Sequence, residues 1–276
     1  MASYEIRPLQ LKILETLKLI HEVCKEHGLR YYITAGTLLG AVRHGGFIPW
    51  DDDLDIAMPR PDYDTLIAHA DEWLPKHIEL ICAERDVNYP FPFAKIQNAS
   101  TTLIERKHIS YLGGVYIDVF PLDGVPAGKI SRWWHFTHYK YLQRMVYFVY
   151  RDPYKHGHGI SSWLPRLAQK LYSKESIQRK LRHAMTRCDF NTSTHVVDHD
   201  DGAKGVLPRD IIGEPTPILF EGTEVNGYAR PHDYLARKYG DYMTVPDVPH
   251  QRQHNFYYMN LDMPYRQYDG FREKQK

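Results

Sequence analysis

Apolar residues recur at three- and four-residue intervals at Leu9, Ile13, Leu17, Ile20 and Cys24. This spacing predicts an amphipathic helix over 5–27, with Gly28 as the residue that closes it. Tyr31 to Ala35 is a short strand pattern that Gly36-Thr37 ends, ahead of an apolar helical turn beginning at Leu38. Gly45-Gly46 and Pro49 interrupt the pattern before a second strand, Leu54 to Met58. Pro61 suits the first turn of a helix running to about Trp73. Short strands follow over 78–83 and 92–97, the second carrying Lys95, and then Gly113-Gly114 introduces Val115 to Phe120, a strand closed by Pro121. Stretches 128–150 and 162–189 are helical in pattern, with Asp152-Pro153 and His156-Gly157-His158-Gly159 between them. Two short strands, Ile218 to Glu221 and Glu224 to Asn226, precede a helix over Pro231 to Tyr239. Strands and helices in this arrangement predict an α+β fold, a mixed sheet flanked by helices.

Three acidic positions interrupt this pattern in a way that implies chemistry. Asp53 and Asp55 lie two apart where the chain turns apolar, and side chains i and i+2 of a strand share a face. Paired carboxylates are oxygen ligands suited to a hard divalent cation held together with substrate phosphates. Asp118 is an isolated carboxylate in an apolar run, a placement that calls for a partner or a task. The strand, small-residue turn and helix start around Gly36-Thr37 would present backbone N–H groups to an anion. Phosphoryl or nucleotidyl transfer is the chemistry these residues predict. An Asp-x-Asp alone is weak, since acidic turns are common at surfaces. Asp51 and Asp52 read as turn formers that shape the local field, with Asp51 on the face of Asp53 if the strand starts early.

Composition narrows the picture. The 276 residues carry a net charge near +1, which gives no reason to expect a nucleic-acid partner. That mean hides an asymmetry: between Lys129 and Arg187 there are 13 Lys and Arg against only Asp152 and Glu175. The same stretch holds Trp133, Trp134, Phe136, Tyr139, Tyr141, Tyr147, Phe148, Tyr150 and Trp163. A solvated basic face over an aromatic core would account for it, as would a surface for an anionic polymer or for a membrane-linked substrate. Cys24, Cys82 and Cys188 are too few and too scattered for a disulfide framework or a metal knuckle. The start of the sequence lacks a signal-peptide core and no apolar run is long enough to span a bilayer, so a cytoplasmic protein is expected. The histidine pairs 135/138, 156/158 and 195/199 read as chance spacings among 16 histidines and are assigned no metal.

In order and spacing, Gly36-Thr37, the aspartate pair and the later strand aspartate resemble the nucleotidyltransferase superfamily. Over residues 31–64 and at "GGVYIDVFPLDGVP" (113–126) the chain looks like the LicD family of phosphorylcholine transferases, of which the fukutin-related proteins are distant relatives. "FEGTEVNGYARPHDYLARKYGDYMTVP" resembles that family's closing block, and 130–215 matches least. The resemblance implies a nucleotidyltransferase-like core over 1–127; charge and aromatic content set apart a basic aromatic helical region over 128–190, and a C-terminal α/β segment over 191–276 is expected to pack back on the core. The resemblance also implies transfer of phosphocholine, or a related phospho-alcohol, from a CDP-linked donor such as CDP-choline to a hydroxyl of a teichoic-acid or lipopolysaccharide precursor, with CMP leaving. Asp53 and Asp55 would hold Mg2+ or Mn2+, with Asp118 as third ligand or general base. Gly36, Thr37, Arg43 and Lys95 would meet the donor phosphates. Trp50, Tyr116, Tyr257 and Tyr258 are the candidates to face a quaternary ammonium. The basic region would dock an anionic or lipid-linked acceptor, peripherally at the inner face of a membrane. A true nucleotidyltransferase needs the same carboxylates and stands as the alternative. A choline- or glycan-binding module without catalysis is a third reading.

Overall fold

The computed structural model describes residues 4–105, 113–154, 157–159, 162–251, 253–254 and 256–270. His156 of the second histidine pair lies outside the described residues. The first helix, α1 (Ile6–Glu26), buries Leu9, Ile13, Leu17, Ile20 and Cys24 along one face. It ends where Gly28 takes φ +64°, the left-handed conformation that glycine adopts without steric cost. β1 (Tyr32–Ile33) is two residues long because α2 (Ala35–His44) starts at Ala35, earlier than the apolar pattern indicates. Gly36 and Thr37 therefore belong to the first turn of the helix. β2 (Asp55–Pro59) starts at Asp55, so Asp53 stands outside the strand and the shared-face argument for the aspartate pair does not hold. α3 (Arg60–Trp73) follows, with Pro61 in its first turn as expected.

β3 (Ile78–Ile81), β4 (Ala94–Ile104) and β5 (Gly113–Gly124) come next. β4 runs well past 97 through buried Gln97, Asn98, Thr101 and Thr102. Their polarity conceals the strand in the sequence, and hydrogen bonds make their burial tolerable. Thr101 Oγ1, for example, donates to Asn98 O (2.8 Å) and accepts from the Val115 N–H (2.7 Å). Pro121 does not close β5, which continues to Gly124. Pro121 immediately precedes the residues that pair with the next strand, so its missing N–H removes no bond from that ladder. The chain continues through α4 (Lys129–Tyr150), α5 (Trp163–Leu171), α6 (Lys174–Met185), β6 (His195–Asp198), β7 (Leu207–Pro208) and α7 (Arg209–Ile212). It ends with β8 (Thr216–Phe220), β9 (Thr223–Gly227), α8 (Pro231–Tyr239) and β10 (Tyr258–Asn260).

The chain divides into two compact units. The first takes Met1–Leu80, Lys95–Phe120 and Ile211–Lys276. Its sheet has the order β1-β2-β5-β4-β10, with β3 also on β4, and the pairs β1/β2 and β4/β10 are antiparallel. A hairpin of β8 and β9 is joined at Glu221-Gly222, both at positive φ, as a two-residue turn requires. The second unit takes Ile81–Ala94 and Pro121–Asp210. In it the last residues of β5 pair antiparallel with β6, and β6 with β7. Tyr139, Leu142, Val146 and Val149 of α4 pack with Ala168 of α5 and with Ile177, Leu181, Ala184 and Met185 of α6. Each buried leucine or isoleucine there contributes about 1.5–3 kcal/mol of transfer free energy. The fold is α+β, a mixed sheet flanked by helices, with the basic aromatic stretch forming helices.

Candidate active site

The site is assembled within the first unit at the β1–α2 junction. Ala35 takes φ +47°, a conformation unfavourable for a residue with a Cβ. Two tyrosines hold it there. The Thr34 hydroxyl lies 2.8 Å from the Tyr228 hydroxyl and 3.0 Å from that of Tyr234, and the Ala35 N–H donates to Tyr234 (3.2 Å). The sharp turn aims the start of α2 at the acidic segment. Gly36 and Thr37 occupy first-turn positions whose N–H groups have no intrahelical acceptor. A Cβ on Gly36 would come within 3.0 Å of Asp51 Oδ2, so only glycine leaves that carboxyl undisturbed. Thr37 Oγ1 accepts from the Asp55 N–H (2.8 Å), fixing β2 against the helix start.

Residues 51–54 form an irregular acidic turn that is braced on several sides. Gln10 Nε2 of α1 donates to Ile48 O (3.2 Å) and Asp51 O (2.9 Å). Upstream, the Glu221 carboxylate at the hairpin tip takes two bonds from Arg7 (3.0 and 2.7 Å) and one from the Phe47 N–H (3.1 Å). Asp52 is 1% exposed and is an anchor. It accepts from the Tyr4 hydroxyl (2.6 Å), from the His254 N–H (3.0 Å) and from His254 Nδ1 (2.8 Å). His254 is pushed up to about 9, chiefly by its bond to Asp52, and is a cation at neutral pH. Its Nε2 lies 3.7 Å from Asp53 Oδ2.

Asp53 and Asp51 are hydrogen-bonded to each other. Burial, then the neighbouring Asp53, pushes Asp51 up to about 8, so the pair shares a proton at neutral pH. Asp118 of β5 is tied to the same turn through its backbone, whose N–H donates to Leu54 O (3.0 Å). Burial raises its carboxyl to about 6, against the pull of Lys95. Lys95 Nζ stands 3.1 Å from Asp118 Oδ1 and 2.9 Å from Glu105 Oε1, over the ring of Tyr116 at 3.3 Å from its centroid. Burial alone would raise Glu105, but Lys95 and a bond from Tyr116 outweigh it and hold it below the ordinary carboxylate value.

The structure places Asp53, Asp118 and Lys95 near one another and Asp51 beside Gly36, and it sets the Asp55 backbone against the Thr37 hydroxyl. It places Arg43 elsewhere, in the last turn of α2, where Nη1 donates to the carbonyls of Tyr242 (2.9 Å) and Thr244 (3.3 Å). Trp50 sits edge-on to His44 at 6.2 Å between ring centroids, and the Tyr116 ring face is taken by Lys95. Sequence reasoning gave Asp52 too small a part and passed over His254, Tyr4 and Glu105. Glu105 stands one residue beyond the end of β4, well past the strand that the sequence pattern indicates, so the pattern did not connect it with Lys95. His254 lies in a segment with no periodicity, and nothing in the sequence points to it.

A group of buried carboxylates crowded enough to share a proton is a donor set suited to a hard divalent cation, which would relieve their repulsion. Among the described residues, Asp52, Asp53 and His254 each offer one atom within 4.8 Å of the others. Comparison with known proteins bears on the chemistry. Residues 28–148 match the family described as LicD/FKTN/FKRP, nucleotidyltransferase domain. The lipopolysaccharide cholinephosphotransferase LicD of Haemophilus influenzae is 29% identical over 267 residues, covering 92% of this chain and 97% of that protein. The ribitol 5-phosphate transferase FKRP of Mus musculus and that of Homo sapiens are each 46% identical over 44 residues, 16% of this chain and 9% of theirs.

Proposed function

Because the chain belongs to the LicD family, through residues 28–148, we propose that it moves a phospho-alcohol from a CDP-linked donor to a hydroxyl of a cell-surface glycan precursor. Phosphocholine is the first candidate for the transferred group, and ribitol phosphate, from the shorter match to the FKRP proteins, is the second. The observation that carries the reading is the meeting of the Asp51–Asp53 pair, Asp118 and the start of α2 at one place.

In the proposed reaction, the acceptor oxygen attacks the distal phosphorus of the donor. The bond from that phosphorus to the bridging oxygen breaks, and CMP departs with the electron pair. Asp53 and Asp55, with Asp118 as the third carboxylate, would hold a divalent cation, Mg2+ or Mn2+. Such a cation neutralises charge on the leaving phosphate and lowers the pKa of a hydroxyl bound to it. The free N–H groups of Gly36 and Thr37, at the positive end of α2, bind donor phosphate oxygens. In the alternative role, as general base in place of third ligand, Asp118 would take the proton of the acceptor hydroxyl, its carboxyl raised to about 6 by burial and held in place by Lys95. The acceptor is an anionic or lipid-linked glycan precursor, teichoic acid or lipopolysaccharide, and the enzyme works in the cytoplasm at the inner face of the membrane.

The test follows CMP release from CDP-choline, CDP-ribitol, CDP-glycerol and CDP-ethanolamine with Mg2+, with and without a glycan-precursor extract. Acceptor-stimulated CMP from one donor, abolished by chelation and restored by Mg2+, is the expected result. Pyrophosphate release from a nucleoside triphosphate, with every CDP donor inert, would move the assignment to nucleotidyl transfer.

A further inference from the structure

In the second unit the polarity of one helix is reversed. α5 buries only Pro165 and Ala168, whereas Trp163, Leu164, Leu167 and Leu171 face outward, Trp163 at 60% and Leu171 at 62% exposure. At 100° per residue these four fall within an arc of roughly 100°. Gln169 on the opposite side fixes the orientation by donating to the carbonyls of Val149 (3.2 Å) and Arg151 (2.8 Å) at the end of α4. The apolar stripe is therefore held outward by the packing. α4 contributes a second exposed stripe: Trp133 and Trp134 stand edge to face with centroids 4.6 Å apart, Trp134 at 61% exposure, and Tyr141 continues the line. Scattered apolar side chains at a surface need no explanation, but a contiguous set does.

Charge indicates what covers this face. Neither α4 nor α5 contains an acidic residue, whereas Arg166 and Lys170 border one edge of the stripe on α5 and Lys129, Lys140 and Arg144 lie on the exposed side of α4. An apolar stripe rich in Leu and Trp, bordered by Lys and Arg and free of acids, has the composition of a helix lying in a membrane interface. We propose that α5, through its outward apolar stripe, seats the protein on an anionic lipid bilayer. Leu167, Leu171 and Trp163 would enter the headgroup–acyl boundary, while Arg166 and Lys170 remain at the anionic headgroups. Among the described residues no helix is long and apolar enough to cross a membrane, so this would be attachment in the plane of the interface. The inference rests on the proposed lipid-linked acceptor for its purpose alone.

Flotation of the full chain with vesicles of phosphatidylcholine, and with vesicles of equal parts phosphatidylcholine and phosphatidylglycerol, tests it. The wild type is expected to float with the anionic vesicles only, and less as salt rises. Leu167→Gln with Leu171→Gln, and separately Arg166→Glu with Lys170→Glu, should each weaken binding about tenfold or more. Leu219→Gln, an exposed apolar position on β8, should not. Circular dichroism confirms that each variant is folded, and the charge pair keeps the test sound if the leucine pair misfolds. No flotation of the wild type, or flotation indifferent to both α5 variants, would overturn the proposal. So would a dimer in sedimentation velocity that both variants dissociate without any vesicle binding, since a second copy would then cover the stripe. CMP release with a water-soluble acceptor fragment separates the two readings. An inert protein that still floats retires the reaction and leaves the surface standing.

Discussion

The residues at the acidic turn are held in an arrangement that is costly unless something binds there. Asp53 and Asp51 share a proton under burial, so Asp53→Asn removes a like charge, and the variant should be at least as stable as the wild type in thermal melts. CMP release should nonetheless fall by at least about a hundredfold, and any rise in melting temperature produced by Mg2+ should vanish. A less stable variant with intact turnover would refute the assignment. Lys95 presents the opposite case. It is buried between Asp118 and Glu105, and Lys95→Met leaves two carboxylates without their cation. The expected cost is about 3 kcal/mol in denaturant unfolding, part of it recovered by Asp118→Asn in the same chain. At this scale the sequence was informative for Asp118 and Gly36, because a lone carboxylate in an apolar run and a small residue at a strand–helix turn are local signals. It read Asp52 only as a turn former and was silent on its pairing with His254, which it meets across 202 positions. A polar pair at such a distance leaves no mark on local periodicity.

Between elements, close approach of backbone sets the tolerances. A Cβ on Gly40 of α2 would lie 2.4 Å from Gly46 O and 3.1 Å from the Ile48 N. Gly40→Ala gains about 1 kcal/mol of helix propensity but must displace the backbone that leads into the acidic turn, at about 1–3 kcal/mol. Net destabilisation with reduced turnover is expected, read from melts and CMP release together. α4, β5 and the turn at 199 meet in the second unit around a buried chain of side chains. His135 Nε2 lies 3.0 Å from His199 Nε2, and His199 Nδ1 lies 3.1 Å from Asp123 Oδ2. Burial, then the neighbouring His199, pushes His135 down to about 4. The unfolded chain, with an ordinary value near 6.5, takes up this proton first, so stability is lost as pH falls from about 6.5 to about 4. In His135→Phe that part of the slope in melting temperature against pH should flatten. The long helices were legible because their buried faces repeat every three or four residues. The helical reading over 162–189 missed the break where Ser173 caps α6 by accepting from the Ser176 N–H (3.1 Å). β6, β7 and β10 have four, two and three residues, too short for an alternation to be recognised.

For the molecule as a whole, the proposed reaction would give the basic stretch and the carboxylate cluster separate tasks in separate units. Arg182 pairs with Glu84 and is already committed, whereas Arg179 and Lys180 are exposed on α6. Arg179→Glu with Lys180→Glu should raise the KM for an anionic, lipid-linked acceptor, more so at low salt, and leave the KM for the CDP donor unchanged. Equal acceptor kinetics in the two proteins would confine the charge to solvation. The excess of Lys and Arg was visible in the sequence, but the outward direction of the α5 stripe was not, since periodicity alone does not say which face is covered. The first unit is also discontinuous, and this bears on its synthesis. β10 pairs with β4 antiparallel from Tyr258, and His254 closes on Asp52. On the ribosome, the Thr102–Ile104 stretch of β4 must therefore wait without β10 through the making of the whole second unit. A stalled or shortened product ending before residue 250 would carry the aspartates without the strand and the histidine that complete their surroundings. It should be recognised by chaperones and proteases as an unfinished sheet.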